Sequence, residues 1–219
     1  MRTREIDKKI AARIASIGYD KIGSLLYELD SPSEDVQNIL IFSIAKKAYR
    51  VIFCGFSFRN SEAEEFGLFC IKKYGNEMYR YLKKRGGIFI HLRMSLGMMA
   101  GWQSGGGLYV GDEEIEDSIE RISNDISTIV LPVAGHIRTK EELLGLLLSN
   151  DDLAPWFRTN AAIRAANSIF LMVRLGYERN RICEEISPYF SFMERSKLKI
   201  GVVDYVNVVI EEAISFRLL

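Results

Sequence analysis

Ile6, Ile10, Ile14 and Ile17 recur at three- and four-residue spacing ahead of Gly18, the period of an amphipathic helix closed by a glycine. Ile22, Leu25, Leu26 and Leu29 predict a second, short helix. Ser31, Pro32 and Glu34 then supply an N-cap, a proline at the first helical position and a capping-box glutamate. They open a third helix that runs through Val36, Ile39, Leu40 and Ile44 to Tyr49. Arg50 to Ser57 is a short, continuous apolar run, as expected of a strand buried on both faces of a parallel sheet. Ser61 with Glu64 starts the next helix by another capping box, with Phe66, Phe69, Cys70 and Tyr74 inward, Gly75 as its stop and Asn76 as the cap of a continuation to Lys84. After the break at Gly86 and Gly87, Ile88 to Met94 reads as the next strand. Residues 50–94 thus form a strand-helix-strand unit, and such a crossover implies parallel, right-handed pairing.

Residues 95–111 hold six glycines and no clean period, which predicts a loop containing at most a short strand at Leu108 to Val110. Asp112 starts a very acidic helix with Ile115, Ile119 and Ile122 inward. Ser127 to Val133 reads as a further strand with Pro132 near its end, and Thr139 with Glu142 opens one more helix. Beyond it the pattern is helical: an alanine-rich helix from Asn160 to Leu175 closed by Gly176, a shorter one through Ile182 and Ile186 stopped by Pro188, and a last one from Gly201 to Phe216. The β-branched run Val202 to Ile210 reads equally as a strand. The expected fold class is α/β, with a short, mainly parallel sheet of three to four strands flanked by helices and a mostly helical C-terminal third. The expected organisation is an α/β core with N-terminal helices over 1–150 and a helical region over 151–219, either separate or part of the same domain.

A chain of 219 residues buries a sufficient core without disulfides or metals. The balance of 29 basic against 29 acidic residues gives no global charge that points to nucleic acid or membrane. Cys54, Cys70 and Cys183 are odd in number, widely spaced and set in apolar sequence, the pattern of free thiols in a reducing compartment; cytoplasmic localisation is expected. The N-terminus scatters charge through its apolar positions, unlike a signal peptide or anchor, and no run approaches 18 apolar residues. Two glutamines against many Ile, Arg and Glu are compatible with a thermophilic composition.

No phosphate loop, dinucleotide fingerprint, zinc, calcium or serine-hydrolase motif occurs, and no cofactor or metal is expected. Polar residues do gather after the proposed strands: Ser57, Arg59, Asn60 and Ser61; then His91, Arg93 and Ser95; then His136, Arg138 and Thr139. In an open parallel sheet these edges are where ligands bind, and guanidinium forks, hydroxyls and free backbone N–H groups suit an anion. Ser61 and Thr139 are equally explained as helix caps, and His91 as a core residue. A second candidate is the basic stretch Lys72, Lys73, Arg80, Lys83, Lys84 and Arg85, interleaved with Tyr74, Tyr79 and Tyr81, which suits single-stranded nucleic acid or a solvated helix face. The acidic run from Asp112 to Glu120 would repel phosphates on the same side, or pair with the basic segment across a homo-oligomer contact.

The segment Ile44 to Gly75, a helix, an apolar strand ending in Gly55 and Ser57, and a helix ending before glycine, resembles the opening of the sugar isomerase domain family. The resemblance implies that Ser57 and Ser61 bind a sugar phosphate. It covers about a seventh of the chain, and the family's second serine- and glycine-rich loop is not matched by Ser95 to Gly97 or Ala134 to His136. Gly176 to Ile186 is similar to the turn into a helix of small DNA-binding units and equally to an ordinary helical hairpin. The first functional expectation is therefore binding, with isomerisation as the candidate reaction, of a small phosphorylated or carboxylated ligand. Ser57, Arg59, Asn60, Arg93, Ser95 and Arg138 would hold it and His136 would be the acid-base group. The alternative is a nucleic-acid- or protein-binding module using residues 72–85 and the helical C-terminal region, in a chain that forms homo-oligomers.

Overall fold

The computed structural model describes residues 3–29, 35–46, 50–75, 92–102, 107–111, 114–149, 161–196 and 198–216. They divide into two compact units, each drawn from two stretches of chain: 1–58 with 93–138, and 59–92 with 139–219.

The first unit begins with α1 (Thr3–Ala15), followed by β1 (Tyr19–Gly23), β2 (Leu26–Leu29), β3 (Gln37–Lys46) and β4 (Arg50–Arg59). β5 (Leu92–Ser95) and β6 (Gly107–Val110) complete a six-stranded sheet in the order β1-β2-β3-β4-β5, with β6 also on β4. A strand has two edges, so two of the three neighbours of β4 share one, which its ten-residue length allows. The mainly parallel sheet of three to four strands is overturned: β1–β2, β2–β3 and β4–β6 are all antiparallel. The physical reason is the hairpin at Ser24 and Leu25, since antiparallel strands need only two connecting residues whereas parallel ones need a crossover. Leu25 sits at a φ of 58°, a position that turns usually give to Gly or Asn, and its carbonyl accepts from the Phe42 N–H at 2.9 Å.

Two predicted helices are thereby replaced by strands. Ile22 to Leu29 is the β1–β2 hairpin, and Gln37 to Ile44 belongs to β3, with Val36 just ahead of it; the caps at Ser31 to Glu34 lie outside the described residues. β3 is a run of alternating faces: Ile39 and Ile41 point one way, Leu40 and Phe42 the other, and all four are buried. Against its Leu40 face Tyr27 is paired across the sheet, edge-on to Phe42 at 5.6 Å. α1 forms as predicted, with Ile6, Ile10 and Ile14 fully buried and Gly18 at a φ of 90° behind it. Asp7 ties α1 to the hairpin, accepting from Lys21 Nζ at 2.7 Å and from the Tyr27 hydroxyl at 3.0 Å.

A buried polar pair lies in the same unit. The Tyr19 hydroxyl donates to Asn38 Oδ1 at 2.7 Å, while Asn38 Nδ2 has no partner. Burial, with the nearby Cys54, pushes the Tyr19 phenol well up, so it stays a neutral donor. Tyr19→Phe removes that donor and leaves both ends of the buried amide unpaired; it should cost about 1–2 kcal/mol in urea denaturation, and Asn38→Leu in the Tyr19→Phe background should recover part of the loss.

Residues 96–136 hold α3 (Leu96–Met99), β6, α4 (Ile115–Asp125), a π-helical turn (Ile126–Val130) and α5 (Leu131–His136). The acidic helix and its inward Ile115, Ile119 and Ile122 are as expected. The strand expected at Ser127 to Val133 is instead helical. Its hydroxyls bond backwards, Ser127 to the Ser123 carbonyl and Thr128 to that of Asn124, the alternative that Ser and Thr offer a backbone inside a helix. Pro132 stands at the start of α5, directly after the π-helical turn, so its missing N–H falls where the α-helical hydrogen-bond ladder is already interrupted.

The second unit contains α2 (Ser61–Tyr74), α6 (Lys140–Leu148), α7 (Ala161–Arg174), α8 (Arg179–Ile186), α9 (Phe190–Met193) and α10 (Val202–Ser215). α7 is its centre, contacted by α2, α6, α8 and α10, and the helix choice for α10 is settled against the strand. The cap of α2 is Asn60, one residue earlier than expected, accepting from the Ala63 N–H at 2.9 Å. α6 carries the expected capping box of Thr139 and Glu142. Its last carbonyls are used as well: Leu147 and Ser149 accept from Arg164, and Leu148 from the Tyr189 hydroxyl. The predicted continuation to Lys84, most of the strand from Ile88 and the suggested boundary at 151 lie outside the described residues.

Candidate functional site

The strand-end constellation is rearranged by the fold. Ser57 is completely buried in β4, with no hydrogen-bond partner for its hydroxyl. Arg59 Nε faces Glu64 Oε2 at 3.3 Å, and the Asn60 side chain is engaged as the cap of α2. Arg93 lies in β5, its side chain outside the described residues, and Ser95 precedes α3 without a side-chain capping bond. His136 ends a helix rather than following a strand, and Arg138 lies in the connection to α6; both are exposed. The edge expected to unite them with Ser57 required a parallel strand at 127–133, which does not form. His91 and residues 76–85 of the basic segment are outside the described residues.

The described end of that basic segment has an internal partner. Lys73 pairs with Glu212 of α10, and the Tyr74 hydroxyl donates to the same carboxylate at 2.7 Å. Burial alone would raise the Glu212 carboxyl, but the hydrogen bonds from Lys73 and Tyr74 outweigh it and hold the group below its ordinary value. A depressed folded value contributes stability that is present above the unfolded value and is lost as pH falls through the folded one. On acidification into that range, the wild-type Tm should fall more steeply than that of Glu212→Gln, as thermal melts at graded pH would show. Cys70, beneath this pair, is fully buried, and burial pushes its thiol well up, which removes it as a nucleophile.

α8 and α10 enclose a groove of about 370 Å³ that sequence reading missed. Cys183, Glu184 and Phe190 form one wall, Ser187 the turn between, and Val203, Val206 and Asn207 the other. One end is held by Arg179, which pairs with Glu211 and donates to Asn207 Oδ1 at 3.0 Å. α10 buries Tyr205, Val206, Val209, Ile210 and Ala213 as a single stripe and anchors itself through the Tyr205 hydroxyl on the Ala162 carbonyl at 3.0 Å. That leaves Val203 58% and Ile214 62% exposed. The signal was present in the composition of the helix, because nine of the thirteen residues from Val202 to Ile214 are apolar, more than one buried stripe accommodates.

Among the described residues, no group of three or more His, Cys, Asp or Glu is placed to hold a metal ion, and no helix is long and apolar enough to cross a membrane. Cys54, Cys70 and Cys183 form no disulfide. No protein-family model, curated protein or solved structure matches the chain.

Proposed function

We propose that the chain is a protein-binding module that presents the α8–α10 groove of its helical unit. The observation that carries this reading is Val203, an aliphatic side chain more than half exposed at the lip of a largely apolar lining. A single exposed aliphatic residue is ordinary, but one that continues a concave apolar lining belongs to the kind of surface a partner covers. A nucleic-acid reading has less support among the described residues, where three cations of this unit are engaged internally. Lys73 faces Glu212, Arg179 faces Glu211, and Arg181 lies 4.3 Å from the Tyr177 ring centroid and 3.9 Å from Glu185. The small-anion reading is weakened at Arg59, which has Glu64 beside it, and at His136, which has no strand end to occupy.

A photo-crosslinking amino acid placed at position 203 in the host cell should give one discrete adduct, and none at the exposed position 65 of α2. The adducted protein, identified and purified, should bind the wild-type chain and not Val203→Gln. An adduct of twice the chain's mass would reassign the groove to a second copy. Equal labelling at 203 and 65 would overturn the reading.

A further inference from the structure

Building on that docking reading, we infer that the groove takes a short amphipathic helix of a partner protein that carries Lys or Arg beside its apolar anchors. Three features of the site lead there. The lining is apolar at Cys183, Phe190, Val203 and Val206, and it is built from helical segments, which offer no open strand edge. An occupant cannot gain backbone hydrogen bonds by strand addition and must satisfy its own, which a helix does. The groove is about 370 Å³, a space of the size that a few anchoring side chains fill. The space suits a segment rather than a whole second surface.

Charge decides the sign of the occupant. Glu185 and Glu211, the other carboxylates of these two helices nearest the groove in sequence, have Arg181 and Arg179 as partners. Glu184 is exposed on the lining and Asp204 is exposed next to Val203. Neither makes an ion pair among the described residues. Glu184 on the lining, with Asp204 one residue from its lip in the first turn of α10, attracts a basic segment and repels an acidic one, and such complementarity acts mainly on specificity and association rate.

The test uses the full chain and two fluorescein-labelled designed helices with identical leucines at i, i+3, i+4 and i+7, their polar positions all Lys in one and all Glu in the other. In fluorescence anisotropy the Lys peptide should bind saturably and the Glu peptide at least roughly tenfold more weakly, a difference of about 1.4 kcal/mol. Val203→Gln should weaken the Lys peptide, and the double reversal Glu184→Lys with Asp204→Lys should exchange the preference. Both substitutions fall on exposed side chains, so the fold tolerates them, and circular dichroism checks this. Glu65→Lys on α2 is the control for general attraction; if it weakens the Lys peptide as much as the double reversal does, the inference is overturned. Equal binding of both peptides, lost with Val203→Gln, would overturn the basic partner and leave the docking groove standing. Binding of neither peptide in a Val203-dependent way, together with no adduct at position 203, would overturn both.

Discussion

Phe170→Ala should destabilise the helical unit by about 3–5 kcal/mol, the range for truncating a buried aromatic when its surroundings relax only in part. Phe170 is fully buried on α7. Its ring stacks on Phe66 at 5.0 Å and meets Phe216 edge-on at 6.0 Å, and the Arg174 guanidinium lies 4.8 Å from its centroid. The substitution removes a fully buried ring, and with it two ring contacts and one cation contact. Phe69 touches Phe66 at 6.3 Å and Phe216 at 5.6 Å but is only half-buried, so Phe69→Ala should cost clearly less. Urea denaturation of both variants checks the order. Similar losses at 170 and 69, with unchanged denaturant slopes, would mean that the ring cluster does not organise this unit.

Gly67→Ala should cost about 2–3 kcal/mol, against the sign that helix propensity gives. In an open helix, alanine in place of glycine gains about 1 kcal/mol. At position 67 of α2, however, the new methyl would sit 2.1 Å from Asn167 Oδ1 and 3.2 Å from its Cγ on the facing helix α7. Asn167 is 8% exposed, and its Oδ1 has no hydrogen-bond partner. Its side chain is short, so relieving the overlap means moving a buried amide or separating two helices, and overpacking of this kind outweighs the propensity gain. The double variant Gly67→Ala with Asn167→Ala removes the obstacle and keeps the helix former. It should be markedly more stable than Gly67→Ala alone, a coupling that a double-mutant cycle in urea measures directly. Additive effects of the two substitutions would show that the close approach of α2 and α7 is not what requires glycine.

The groove and the glycine contact share an origin in helix packing, and this separates what was legible in the chain from what was not. Helices whose start or stop is written in neighbouring residues were readable in advance: α1 with Gly18, α6 with its Thr139 and Glu142 box, and α7 with Gly176 behind it. A cap satisfies orphan N–H or carbonyl groups within one turn, so its energy depends on local sequence. The spacings of Ile22 to Leu29 and of Val36 to Ile44 suit either a helix or a strand, and there the decision belonged to distant partners. Tyr27 pairs with Leu40, and Glu28 with Ile39; without those cross-strand neighbours the same residues have no sheet to join. The β-branched run at Ser127 to Val133 shows the converse: it continues α4 as helix, with its hydroxyls bonded back to the preceding turn. The helical state of this run then decided the fate of the anion constellation, since His136 and Arg138 reach a strand end only if 127–133 is a strand. The surplus of apolar residues in α10 was visible in the chain itself. That the surplus opens onto α8, with Glu184 and Asp204 beside it, was decided by tertiary packing, because burial of one helix face is determined by neighbours that lie far away in sequence.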